Sequence, residues 1–316
     1  MSYANQAAWQ EIQGFLPSQY QLSPATVPQE EYWEWEGHRI HLDQYRNDAA
    51  LAKVILFHGV GTNGRQMMTI LGCPLAQKGY ETIAIDMPGY GETRVNKQAK
   101  VSYDTWVRAA VAFIQKELDR DERPVFLYGL SAGGMLAYHA AAHFKHDQNV
   151  KGIIGMTFLD QRLGLVRRKT TLTPLIGILG APLMTLMAKT PLAGFKMPMW
   201  LASKMHTLVN DKKALNAFMK DRTSAGNWAS IRFLSSYMNY QPAVEPENFD
   251  VCPIILTQPA ADRWTPLNLS TPFLERINQV PVDVVMLDNG GHYPLEEKSL
   301  NQLLSASVGF IQKNTG

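Results

Sequence analysis

The sequence predicts an α/β fold: a mostly parallel, mixed sheet with helices on both faces and a helical insertion. Three observations predict it. Short apolar runs recur along the chain, each ended by turn residues, as strands covered on both faces do. Stretches of helical period lie between them, and that alternation implies parallel pairing with crossover helices. The alternation then lapses between about 158 and 250, a gap too long for a structureless loop in a compact domain.

The elements follow in order. Tyr32-Trp33-Glu34-Trp35-Glu36 and Arg39-Ile40-His41-Leu42-Asp43 alternate with period two, and predict an antiparallel hairpin turning at Gly37-His38. Buried strands are expected at Val54–Phe57, Thr82–Ile85, Val125–Tyr128, Gly152–Met156, Ile254–Thr257 and Val282–Leu287. Helical patterns cover about 65–78, 101–119, 133–146, 266–279 and 296–313. The expected division is a core of 1–157 and 251–316 with a helical cap over 158–250, including helices near 211–221 and 226–238.

Bulk properties narrow the function classes. The 316 residues are 46% apolar and 18% charged, enough for a large core and too apolar for disorder. A net charge of +2 with no long basic run argues against nucleic acid as a partner. Cys73 and Cys252 read as free buried thiols. The first residues have no charged segment leading into an apolar run, so cytoplasmic placement is the default expectation. The uncharged stretch 170–188 imitates a membrane span, but Pro174, Pro182, Gly177 and Gly180 interrupt it. It reads as cap helices that are apolar on more than one face.

The chemistry begins at Gly129-Leu130-Ser131-Ala132-Gly133. A G-x-S-x-G match is weak alone. Here a buried strand precedes it and an Ala-rich helix follows. A serine on such a sharp strand-to-helix turn is forced into strained backbone, with its hydroxyl exposed at the sheet edge and N–H groups beside it. A serine capping an ordinary helix is the plainer alternative.

Together with His58-Gly59-Val60-Gly61, Asp86-Met87-Pro88-Gly89-Tyr90-Gly91, Asp262 and Gly291-His292, this motif resembles the α/β-hydrolase family from about residue 30 onward. The likeness is to its capped serine esterases of the monoacylglycerol-lipase and lysophospholipase kind. The resemblance implies the α/β-hydrolase fold and a serine hydrolase. It does not fix a substrate.

A serine needs a base, and histidine suits neutral pH. Of eight histidines only His292 follows the last strand, in a glycine-rich loop at the sheet edge where α/β sites collect. The acid is expected between Ser131 and His292 in chain order. Asp262, five residues past the Ile254–Thr257 run, matches the family's acid loop. Asp160, after the 152–156 strand, is a rival, and Asp288 is better suited to shaping the His292 loop. One oxyanion donor is expected at the Ala132 N–H, next to the serine. The resemblance implies the Val60 N–H as the other.

Other features are discounted. His139, His143 and His146 share one helix face at metal-binding spacing. No carboxylate accompanies them and no HExxH motif occurs, so they read as a solvated face and no metal is expected. Arg167-Arg168-Lys169 beside the apolar stretch leaves room for weak contact with a membrane surface. The expected function is hydrolysis of carboxylic esters of apolar or fatty acyl groups through Ser131, His292 and Asp262, without a cofactor. Opening of an acyl-homoserine lactone fits the same pocket logic. A reading of another class is a non-catalytic ligand-binding module. Oligomeric state and physiological bond are left open.

Overall fold

The computed structural model describes residues 2–145 and 147–315. Its strands in chain order are β1 (Gln29–Trp35), β2 (His38–Tyr45), β3 (Lys53–Phe57), β4 (Glu81–Ile85), β5 (Val125–Gly129), β6 (Val150–Gly155), β7 (Lys196–Pro198), β8 (Trp228–Ser230), β9 (Ile254–Pro259) and β10 (Val282–Leu287). Eight form one sheet in the order β1-β2-β4-β3-β5-β6-β9-β10. From β4 to β10 every pairing is parallel, and the β1–β2 hairpin joins antiparallel through β2 and β4. The fold is the expected mixed α/β sheet.

The central strands explain themselves. All five residues of β3, β4 and β5 are buried, which is why their sequences run apolar without alternation. β10 lies at the sheet edge, and its burial is broken accordingly. Asp283 there pairs with Lys313 at 3.1 Å. The β1–β2 turn falls one residue earlier than expected, at Glu36-Gly37. Both have positive φ, 47° and 74°, as a two-residue hairpin turn matching strand twist requires.

Several helices differ from expectation. The helix expected over 266–279 reduces to a 3-10 turn, Leu267–Leu269, and one α-turn, Thr271–Leu274. Pro266 and Pro272 lack the N–H donors that a longer helix would use. The helix expected over 65–78 carries a π-helical turn at Met68–Gly72, just before Pro74. The region 226–238 opens as β8, paired antiparallel with β7, and only then becomes the helix Ile231–Met238. Strands of three residues give too short a period to read from sequence.

His139 is also not where the sequence put it. It is buried rather than solvated, with its ring 4.6 Å from Tyr240 and 5.9 Å from Tyr103. Every residue of its helix, Ala132–Ala141, is buried, so this helix has no wet face. His143 follows in a 3-10 turn, and His146 lies outside the described residues. Cys73 and Cys252 are free and buried. Among the described residues no helix is long and apolar enough to cross a membrane.

Between β6 and β9 the chain leaves the sheet. It forms the helix Gly164–Thr170, a continuous helical run through Ile176–Gly180 and Ala181–Met187, the β7–β8 pair, and the helices Lys212–Lys220 and Ile231–Met238. This insertion departs from the same sheet edge at which β5 ends.

Candidate active site

β5 delivers its chain end into a turn that only small residues permit. Ser131 has φ 57° and ψ −124°, a strained combination for a residue with a side chain. The turn is locked by close packing. A Cβ on Gly129 would lie 2.1 Å from Gly133 O, one on Gly133 2.3 Å from Phe57 O, and one on Gly134 2.0 Å from Thr157 O. The glycines therefore let the elbow lie against β3 and the chain after β6.

The loop after β3 closes on the serine. A Cβ on Gly59 would fall 2.7 Å from Ser131 Cβ. His58 ties this loop to the next one, with Nδ1 at 2.7 Å from Gly59 O and Nε2 accepting from the Met87 N–H at 2.9 Å. That pattern is the neutral tautomer protonated at Nδ1. Burial accordingly pushes the His58 pKa down. The N–H groups of Val60 and Ala132 find no acceptor among the described residues, which leaves both available to an incoming oxygen.

Trp264, which lines one cavity with Ser131, also packs against His292 of the loop after β10. The His292 Nδ1 lies 2.9 Å from Asp262 Oδ2, and the His292 and Trp264 ring centroids are 4.7 Å apart. Asp262 is gripped from its own loop: the Trp264 and Thr265 N–H groups each donate to Oδ1 at 2.8 Å, and the Thr265 hydroxyl donates to Oδ2 at 2.7 Å. Thr265 Oγ1 also stands 3.0 Å from His292 Nδ1. Burial pushes the Asp262 carboxyl up, but the His292 ring and the hydrogen bonds from His292 and Thr265 outweigh it and hold it below the ordinary range. His292 Nε2 is buried and makes no hydrogen bond among the described residues.

The rivals lie elsewhere. Asp160 is held by Arg162, Oδ2 to Nη2 at 2.8 Å, with Arg276 at 3.8 Å. Asp288 pairs with Lys298 at 2.7 Å on the surface. Neither bonds His292.

A cavity of about 70 Å³ lies over Ser131. Its wall is mostly apolar, with Val60, Trp264, Ile176, Met184, Met199 and Leu234 among its lining, so four of these come from the insertion. Gln161 and Tyr237 add a polar corner, joined through Gln161 Nε2 and Tyr237 OH at 3.5 Å.

Sequence reasoning missed Thr265 and Trp264 as contacts of the histidine, and missed a buried charge cluster behind the site. There His41 Nδ1 contacts Asp86 Oδ2 at 2.9 Å, and the Tyr3 hydroxyl donates to the same carboxylate at 2.8 Å. Asp86 in turn accepts from the Gly64 N–H at 2.7 Å and the Glu92 N–H at 2.9 Å. The available signal was polar His41 and Asp43 alternating onto the face of β2 that Ile40 and Leu42 do not use. Glu30, His41 and Asp43 gather ligand-type atoms within 4.8 Å of one another. Arg65 already supplies cationic charge to two of them, at 2.6 Å from Asp43 and 2.9 Å from Glu30.

Comparison with known proteins gives a consistent frame. A profile of the Hydrolase_4 family, described as serine aminopeptidase, S33, matches residues 48–299. The monoglyceride lipase of Saccharomyces cerevisiae is 26% identical over 138 residues, covering 41% of this chain and 44% of that protein. Protein phosphatase methylesterase 1 of Mus musculus is 24% identical over 116 residues, covering 37% of this chain and 29% of that one. The matched stretches thus span less than half of these relatives. Among solved structures, a soluble variant of the Saccharomyces cerevisiae monoglyceride lipase, in complex with a substrate analog, superposes with a TM-score of 0.76 at 19% identity, covering 95% of this chain and 99% of that one. The monoacylglycerol lipase of Paleococcus ferrophilus gives 0.63 at 17%, covering 85% and 99%. At these identities the structural likeness concerns the fold.

Proposed function

This chain belongs to the Hydrolase_4 (serine aminopeptidase, S33) family of α/β hydrolases, and from that premise we propose that it cleaves carboxylic esters of apolar acyl groups through an acyl-enzyme on Ser131. The observation that carries this reading is the His292 ring. One nitrogen is fixed by Asp262 at 2.9 Å while the other is left unbonded in the buried site. An imidazole so held is ready to take a proton and return it.

In this reading Ser131 attacks the ester carbonyl and passes its proton to His292 Nε2. Asp262 holds the tautomer and stabilises the imidazolium. The carbonyl oxygen gains negative charge and is received by the N–H groups of Val60 and Ala132, each worth about 3–4 kcal/mol to the transition state. His292 then protonates the leaving alcohol, and water repeats the sequence on the acyl-enzyme.

The insertion, residues 158–250, is the cap in this account. Its methionines and aliphatics line the cavity beside Ser131, which favours an apolar acyl group. A lipase-like substrate is also what the names of the monoglyceride lipase relatives suggest. The test is a panel on purified protein: p-nitrophenyl esters of rising chain length, acyl-homoserine lactones and an aminoacyl p-nitroanilide. Turnover of the longer esters supports the reading. Turnover of the anilide or the lactone alone moves the assignment to that bond, and absence of all turnover favours a binding module.

A further inference from the structure

The helical run of the insertion has two apolar faces. On the inner face Ile176, Gly180 and Met184, spaced four apart, line the cavity over Ser131. On the outer face Leu175, Ile178, Leu179, Leu183 and Leu186 follow at helical spacing, and all five are between 52% and 64% exposed. Phe195 and Trp200 are exposed a few residues further on. Single exposed leucines are ordinary, but a stripe of this kind is not what a water-facing helix carries.

The charge of this segment is as one-sided as its apolarity. Between residues 161 and 210 there are seven lysines and arginines and no aspartate or glutamate. The whole chain is only +2, so the remainder is net acidic. Two of the seven serve the fold: Arg162 binds Asp160 and Glu245, and Arg167 donates to the backbone oxygens of Gln161 and Met238. Arg168, Lys169, Lys189 and Lys196 are exposed and make no ion pair among the described residues.

We propose that this face docks on an anionic lipid surface. The leucine stripe enters the boundary between headgroups and acyl chains, and the four free cations lie against anionic headgroups. Apolar burial and headgroup attraction are the two terms that hold interfacial helices, and here one surface supplies both. A second copy of this chain is a poorer occupant, because it would bring unpaired cations against cations. Docking puts the roof of the cavity at the lipid boundary, so an apolar ester reaches Ser131 without crossing water. That consequence rests on the ester-hydrolase reading. The docking itself rests on the face alone.

The test is co-sedimentation of the full chain with phosphatidylcholine vesicles and with the same vesicles carrying about 30% phosphatidylglycerol. Two variants accompany it: Leu179→Ser/Leu183→Ser/Leu186→Ser and Arg168→Glu/Lys169→Glu/Lys189→Glu. The expected result is binding at least about tenfold tighter to the anionic vesicles, weakened by salt and lost in both variants. Hydrolysis of a short, soluble p-nitrophenyl ester stays unchanged in both. Equal binding to neutral and anionic vesicles overturns the proposal, as does no binding. So does a dimer, seen by light scattering, that the serine variant dissolves. Vesicle binding by a protein that hydrolyses no ester supports the docking and sinks the ester reading instead.

Discussion

Thr265 Oγ1 stands 3.0 Å from His292 Nδ1 while donating to Asp262 at 2.7 Å. One hydroxyl thus fixes both the carboxylate and the ring edge facing it. In the mechanism proposed here it is a positioning group, since it touches neither serine nor substrate. Thr265→Val keeps the shape and removes the donor. A buried hydrogen bond to a charged group is worth about 1.5–3 kcal/mol, so kcat/KM should fall about 10- to 100-fold. Thr265→Ser should restore most of it. Steady-state kinetics on a p-nitrophenyl ester checks this, and equal rates for wild type and Thr265→Val would refute the role.

Asp262→Asn should lower kcat by about 10³–10⁴, because the amide favours the wrong imidazole tautomer. Asp160→Asn should leave kcat within about twofold, since Asp160 is bound to Arg162 and makes no hydrogen bond to His292. A large kcat loss at Asp160 and none at Asp262 would transfer the acid role.

Acyl-chain preference follows from the cavity wall. Each methylene buried against it contributes about 0.8 kcal/mol, so kcat/KM should climb roughly fourfold per carbon from acetyl to about hexanoyl and then level off. Met184 lines this wall, and Met184→Trp should flatten the climb while sparing acetyl ester. A strict acetyl preference in the wild type contradicts the pocket. EDTA should change none of these rates, because every step uses side chains and backbone alone.

The cluster behind the site predicts a pH dependence of stability. Burial alone would lower the His41 pKa, but its hydrogen bond to Asp86 at 2.9 Å and the Glu30 carboxylate 3.5 Å away raise it to about 10. A raised histidine stabilises fully below its ordinary value near 6.5 and loses that contribution as pH climbs toward 10. Asp86 is the reverse: burial raises it, His41 and neighbouring donors bring it to about 2, and its contribution is present above its ordinary range and lost as pH falls toward 2. Urea unfolding should therefore show a plateau between about pH 4 and 6.5 with losses on both sides. His41→Gln should lower the plateau by about 3–5 kcal/mol, as breaking a buried pair does, and flatten the alkaline limb. An alkaline limb unchanged in His41→Gln would contradict the assignment.

What could be read in advance was whatever local pattern dictates. The buried strands β3 to β6 and β9, and the edge strand β10, each announce themselves as an apolar run ended by a turn, and Ser131 is marked by glycines whose missing Cβ atoms the close packing requires. Chain order narrowed the partner of His292 to an acid after Ser131, and the likeness of the Asp262 loop to the family's acid loop chose it over Asp160. What escaped depends on contacts distant in sequence. Thr265 lies just ahead of the helix expected over 266–279, yet its hydroxyl faces a histidine in another loop. The Tyr3–Asp86 and His41–Asp86 contacts join the first residues and the hairpin to the turn after β4, and no local period encodes them. His139 misled because its spacing resembles a wet face, while the aromatic rings against it, Tyr103 and Tyr240, come from a distant helix and from the chain just past the helix Ile231–Met238.

The central claim is that Ser131 is the nucleophile of a serine hydrolase, and covalent labelling tests it most directly. Wild-type protein should take up one fluorophosphonate, located by peptide mass spectrometry on Ser131. Ser131→Ala should fold with an unchanged far-UV spectrum and take up none. Labelling of Ser131→Ala at the wild-type rate, or an adduct on another residue of the wild type, would contradict the account.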